Sequence, residues 1–192
     1  MSSVKNILLA GVGGQGILLA SEVLSEVMMI AGFDVKKNEV HGMSQRGGSV
    51  VSHVRWGEKV YSPIIPEGEV DILFSFELLE TSRYLPLLRK DGRVLVNNHK
   101  IAPPAVALGK MEYPKDIIDQ LKKQFPQTTV VDGLGLALEI GNAKTVNTIL
   151  LGALSNILDL DKDIWLEALR KMIPERLLEI NLRAFELGCL IK

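Results

Sequence analysis

Apolar and polar positions along this chain switch repeatedly between strand and helix periods. Val4–Ala10 is an apolar run without polar alternation and reads as a buried strand. From Gly14 onward, Ile17, Ala20, Leu24, Val27, Met28 and Ala31 recur at helical spacing, and Gly32 stands where such a helix ends. Phe33–Val40 predicts the second strand. Gly47–Trp56 and Lys59–Tyr61 predict a hairpin with Trp56-Gly57-Glu58 near the turn. After a loop at Ser62–Gly68, Val70–Phe76 is another buried strand. Leu78–Arg89 predicts a helix that Pro86 shortens or kinks, and Asp91-Gly92 turns the chain into a strand at Arg93–Val96.

Ile101–Lys110, with Pro103-Pro104, reads as irregular. Pro114–Phe125 predicts a helix with proline in its first turn, and Thr128–Val131 a short strand. Val146, Ile149, Leu150, Ala153, Leu154 and Ile157 form a helical stripe, followed by helices at Asp161–Met172 and Glu175–Leu187 separated by Pro174. This order predicts a three-layer α/β/α fold on a mainly parallel, mixed sheet. The first half is Rossmann-like, a hairpin is inserted, and the part from residue 144 to 192 is helical. A length of 192 residues is that of one domain.

Composition narrows the function. A net charge of −1 and 5% aromatic residues argue against a nucleic-acid or anionic-membrane surface. The one cysteine, Cys189, excludes a disulfide framework within the chain, a four-thiolate iron–sulfur cluster and a thiolate-rich zinc site, and fits a reducing, cytoplasmic compartment. No histidine pair has metal spacing. No apolar stretch approaches the ~20 residues of a membrane span.

In an open parallel sheet, ligands sit beyond the carboxyl ends of the strands. If the strands are parallel, four loops meet at one edge: Gly11–Gly16, His41–Gly48, Glu77, and Asn97-Asn98. Gly11, Gly13 and Gly16 match G-x-G-x-x-G, with Gly14 adding backbone freedom and Gln15 an amide. A nicotinamide dinucleotide site also needs an acid at the end of the second strand. Asp34 is too early, Glu39 too late, and Lys36-Lys37 lies between, so a plain strand–helix turn competes with a ligand loop.

His41–Gly48 gathers an imidazole, the hydroxyl of Ser44, the amide of Gln45, the guanidinium of Arg46 and the pair Gly47-Gly48. Arg46 can grip a carboxylate or phosphate bidentately, or pair internally with an acid such as Glu39. Glu77 and Glu80 suit a helix N-terminus. Asn97-Asn98-His99 reads as a turn. Lys144 and Thr145 open the helix that holds Asn147, where they serve either an anion or as plain caps.

GVGGQGILLASEVL, EVHGMSQRGGSVVSHVR, SPIIPEGEVDILFSFELLE and GNAKTVNTILLGALS, in this order, resemble the gamma component of 2-oxoacid:ferredoxin oxidoreductases, nearest to the indolepyruvate type. The resemblance runs from about Val4 to Ser155 and implies the fold of domain III of pyruvate:ferredoxin oxidoreductase. It further implies a subunit inactive alone, which packs on a large partner carrying thiamine diphosphate and iron–sulfur clusters. That complex passes electrons to ferredoxin and transfers an acyl group to coenzyme A. The family's arrangement is a heterotetramer.

On this basis Gly11, Gly13, Gly14, Gln15, Gly16, His41, Ser44, Gln45, Arg46, Gly47, Gly48, Glu77, Asn98, Lys144, Thr145 and Asn147 are the candidates for an active-site, coenzyme A or partner-facing edge. Lys36, Lys37 and Arg46 are the candidate cations for coenzyme A phosphates. A stand-alone NAD(P)-dependent dehydrogenase, resting on the glycine loop, and a non-enzymatic nucleotide-binding or assembly module are the competing readings.

Overall fold

The computed structural model describes residues 4–41 and 47–191, with His41 described by its backbone alone. One six-stranded sheet has the order β2-β3-β1-β4-β5-β6. Its strands are β1 (Lys5–Val12), β2 (Asp34–His41), β3 (Ser49–Gly57), β4 (Val70–Ser75), β5 (Leu88–Asn97) and β6 (Thr128–Val131). β1, β4, β5 and β6 pair in parallel, whereas β3 is antiparallel to both β1 and β2. β2 therefore points the same way as β1.

The apolar run of β1 is continuous because both sheet faces are covered. Ile7 and Leu9 pack into a core with α1 (Ile17–Ile30), α6 (Val146–Ser155), α7 (Lys162–Met172) and α8 (Glu175–Cys189). Leu8 and Ala10 face the opposite core, formed with α2 (Leu78–Tyr84) and α4 (Ile117–Gln124). The three-layer α/β/α expectation holds. α1 buries Ile17, Ala20, Val23, Leu24, Val27 and Met28, and Gly32 leaves it at φ 87°. Between α6 and α8 the backbones touch, because a methyl on Gly188 would overlap the Ile149 carbonyl and one on Gly152 the Phe185 carbonyl.

Several elements depart from the sequence pattern. β3 does not pair with Lys59–Tyr61. It lies between β1 and β2, so both of its hydrogen-bonding edges are taken. Val60 is instead tied to the start of β2, its N–H donating to Asp34 at 2.9 Å. Asp91-Gly92 is no turn before a strand but a bulge inside β5. There Arg89 donates to Asp91 at 2.6 Å and to Asp71 at 2.8 Å.

α2 ends at Tyr84, and Leu85–Leu87 continues as a 3₁₀ turn around Pro86, consistent with the shortening expected there. A short helix, α3 (Pro104–Ala107), forms in the stretch read as irregular. α4 starts at Ile117 rather than Pro114. α5 (Gly133–Glu139) has no counterpart in the pattern. Asp132 caps it by accepting the Gly135 N–H at 3.0 Å, but Gly133 and Gly135, poor helix formers, mask its start.

Candidate functional site

The chain leaves β1 for α1 on one face and leaves β4 for α2 on the other. The sheet's switch point therefore lies between β1 and β4, where an open α/β fold places its ligand crevice. Gln15 spans it. Its Oε1 accepts the Val12 N–H at 2.7 Å and its Nε2 donates to the Phe76 carbonyl at 2.9 Å. Gly11 must lack a side chain, since a Cβ would sit 2.8 Å from Gln15 Oε1 and 2.9 Å from Phe76 Cβ. Gly14 and Gly16 hold φ values of 102° and 79°. Gly13 N–H donates to the Gly48 carbonyl at 2.9 Å, so the first and second loops meet through their glycines.

A cavity of about 530 Å³ opens beside this crevice. Gly14, Gln15 and Gly16 line one side, and Asn142, Lys144, Thr145 and Asn147 another. Asn97 and His99 at the end of β5 close the floor, and Leu134 of α5 with Ile173, Pro174, Leu177 and Asn181 at the α7–α8 corner form the outer wall. Asn142 accepts the Lys144 N–H at 3.0 Å, which caps a 3₁₀ turn at Ala143–Thr145. Thr145 Oγ1 donates to the Asn142 carbonyl at 2.8 Å. Thr145 and Asn147 are buried, while Lys144 is exposed at the mouth.

The structure thus brings Gly14, Gln15, Gly16, Lys144, Thr145 and Asn147 together around one space. Glu77 does not line it. Its buried carboxylate caps α2, accepting the Glu80 N–H at 2.8 Å, the Ile101 N–H at 3.0 Å and the Tyr113 hydroxyl. Burial first, and then Glu77, raises the Tyr113 phenol above its ordinary pKa. Asn98 points to solvent, and its neighbours Asn97 and His99 line the cavity instead. Asn97 is spent on the frame, donating to Phe76 at 3.3 Å and accepting from Gly133 at 3.0 Å.

Lys36 and Lys37 lie in mid-β2, away from the cavity. Lys36 pairs with Asp34 at 2.7 Å and Lys37 with Glu39 at 2.6 Å, and neither lines the cavity. Gly47 has φ 74°, and Ser44, Gln45 and Arg46, with the side chain of His41, lie outside the described residues. The α7–α8 wall carried no motif that could reveal it, because an amphipathic pattern tells which face is buried but not against what.

Two further groups are structural. His53 Nδ1 accepts the Ile65 N–H at 3.2 Å, and burial lowers its pKa. Cys189 ends α8, half-buried beside the Ser155 hydroxyl at 3.4 Å. Among the described residues no three His, Cys, Asp or Glu side chains form a metal cluster, and no helix is long and apolar enough to cross a membrane.

These features define a class: an open α/β domain whose crevice is formed by glycine-lined strand ends and helix starts. A dinucleotide fingerprint does not suit it. β3 separates β1 from β2, so the end of β2 lies two strand spacings, roughly 10 Å, from the glycine turn rather than one. The chain belongs to the pyruvate ferredoxin/flavodoxin oxidoreductase family, which matches residues 6–191, and within it is a gamma-type subunit.

Indolepyruvate oxidoreductase subunit IorB of Thermococcus kodakarensis is 42% identical over 190 residues, covering 95% of this chain and 93% of that protein. The pyruvate/ketoisovalerate oxidoreductases common subunit gamma of Pyrococcus abyssi is 31% identical, over 79% of this chain and 77% of that protein. Among solved structures, the pyruvate oxidoreductase subunit PORC of Thermotoga maritima superposes with a TM-score of 0.74 at 22% identity, covering 98% of this chain and 96% of that one. The 2-oxoglutarate:ferredoxin oxidoreductase of Magnetococcus marinus, with 2-oxoglutarate, coenzyme A and succinyl-CoA bound, superposes with a TM-score of 0.78 at 19% identity. It covers 99% of this chain, which spans 31% of that longer one.

Proposed function

We propose that this chain is the gamma-type subunit of a coenzyme A-acylating oxidoreductase acting on indolepyruvate or a related arylpyruvate. It works in the cytoplasm within a heterotetramer whose large partner subunit carries thiamine diphosphate and iron–sulfur clusters. Near full-length identity of 42% to an IorB subunit supports the substrate class. The cavity at the switch point carries the reading: a space open at the strand ends suits a surface completed by another subunit.

The clusters do not fit this chain. A four-thiolate site needs cysteines it lacks, and Cys189 stands alone at the far end of α8. In the complex, thiamine diphosphate supplies decarboxylation and the clusters pass the electrons to ferredoxin. This chain's part is to line the site and exclude water. The Gln15 bridge holds the strand ends, and Gly14 and Gly16 keep the backbone bare for close approach.

Co-expression with the native partner tests the proposal. The complex should reduce a dye in a manner dependent on an arylpyruvate and on coenzyme A, and the isolated chain should not. Combining Arg46→Ala with His41→Ala should lower the activity of the complex. Full activity in that variant would remove the His41–Gly48 loop from the site.

A further inference from the structure

α2 carries three polar side chains on one stripe. Glu80, Arg83 and Tyr84 stand at helical positions i, i+3 and i+4, and the stripe meets the start of β3. Ser49, the first residue of β3, donates its hydroxyl hydrogen to Glu80 at 2.5 Å. A serine hydroxyl has one hydrogen to give, so the Tyr84 hydroxyl, 3.1 Å away, donates to Ser49 Oγ in turn. Arg83 reaches the other Glu80 oxygen at 3.2 Å from an exposed position. The result is a relay from Tyr84 through Ser49 to a carboxylate that is only 5% exposed.

The burial of Glu80 needs a reason. The helix dipole favours an acid in the first turn, but it does so for a carboxylate at the surface as well. Taking a carboxylate out of water is costly unless hydrogen bonds replace its hydration, and reaching across to another element adds nothing to the dipole interaction. The contact that burial secures for Glu80 is the one with Ser49.

Ser49 matters through its neighbour. The Gly48 carbonyl accepts the Gly13 N–H at 2.9 Å, and Ser49 stands opposite Val12 in the β1–β3 register. On its other side the turn after β1 is held by the Phe76 carbonyl, which accepts Gln15 Nε2 at 2.9 Å. Phe76 immediately precedes Glu77, the cap of α2. α2 therefore grips the glycine turn from two directions, through the backbone at Phe76 and through the Glu80–Ser49 bond at Gly48. Packing does not locate this turn at its tip, since a Cβ on Gly14 would meet nothing within 4 Å. Hydrogen bonds to Gly13 and Gln15 locate it instead.

We infer that Glu80 and Ser49 are positioning residues, which hold the glycine turn at the sheet edge in the geometry that the assembled enzyme uses. The inference rests on reading this edge as the functional one, and it goes further by assigning a role in that site to a buried carboxylate on the far side of the sheet from α1.

The test uses the full-length chain, ¹⁵N-labelled, for amide hydrogen exchange, and the complex co-expressed with the native partner for activity. Ser49→Ala cuts the relay without altering a glycine. The Gly13 amide should then exchange faster, by a factor at least about ten times that seen at Phe74 and Leu95 in mid-sheet. Ser49→Thr returns the hydroxyl and should restore protection. Glu80→Gln keeps an oxygen for Ser49 and should preserve protection, whereas Glu80→Ala should lose it. In the complex, the kcat for phenylpyruvate- and coenzyme A-dependent dye reduction should fall at least about fivefold in Ser49→Ala and recover in Ser49→Thr.

The Ser49 pair keeps the test open if Glu80→Ala does not fold. Three outcomes overturn the inference: unchanged Gly13 exchange in Ser49→Ala, faster exchange spread evenly over Gly13, Phe74 and Leu95, or full turnover in a variant that has lost the local protection. An inactive wild-type complex would count against the proposed function instead, and Gly13 exchange alone would then decide the inference.

Discussion

The side-chain amide of Gln15 donates to the Phe76 carbonyl across 2.9 Å, tying the loop after β1 to the end of β4. Gln15→Glu removes that donor and sets a carboxylate against a carbonyl. The expected loss of stability is about 1–3 kcal/mol, read as a lower urea midpoint at unchanged slope. An unchanged midpoint would mean that the bridge holds nothing together.

Gly14 and Gly16 both need positive φ, but their surroundings differ. A Cβ at Gly14 meets nothing within 4 Å, so Gly14→Ala should cost only the backbone strain, about 1–3 kcal/mol. Gly16→Ala adds contact with Asn147 and should cost more. Urea denaturation of the two variants compares them directly, and equal losses would contradict the contact.

Tyr113 donates to Glu77 and accepts the Leu79 N–H at 3.1 Å. Burial and the Glu77 carboxylate hold its phenol protonated beyond its ordinary value of 10.0, so the folded state keeps a proton the unfolded chain gives up. That stability is fully present below the ordinary value and declines as pH rises past it. Tyr113→Phe should cost about 1–2 kcal/mol at neutral pH and flatten the alkaline decline, as followed by circular dichroism.

On the acid side the signs reverse. Asp34, held near 2 mainly by the Lys36 hydrogen bond and then by the Val60 N–H, contributes stability that is complete above its ordinary 3.8 and lost as pH falls toward 2. His53, lowered by burial and then by Arg55, contributes stability present above its ordinary 6.5 and lost as pH falls through its folded value. His53→Gln should therefore remove a decline that begins below pH 6.5, whereas Asp34→Asn should remove one confined to pH below 4. A single common acid transition in both variants would refute the separation.

Much of the frame was legible because one period dominated each stretch. Thr128–Val131 is the strand its β-branched residues announce, and α7 and α8 follow their amphipathic stripes. The direction of β1, β2, β4 and β5, and so the shared edge, also follows from the alternation of elements. What escaped was pairing. Nothing local in Ser49–Gly57 says that it enters between β1 and β2 rather than folding back on Lys59–Tyr61, because hydrogen-bonding partners are chosen by the whole sheet.

At the site, the glycine loop and the Lys144–Asn147 segment were visible as motifs. His99, Leu177 and Asn181 were not, since ordinary residues become cavity walls only through packing. Glu77, read as suited to a helix N-terminus and also carried as a candidate at the shared edge, caps α2.

The meeting of α6 and α8 at Gly152 and Gly188 works as a pivot. Leu177 and Asn181 of the cavity wall lie on the same rigid helix as Gly188, and Leu177 is about 16 Å from it along the axis. Bulk added at this contact would push the two helices apart and move that distant arm, so the width of the cavity depends in part on two glycines about 16 Å away, where α6 and α8 touch.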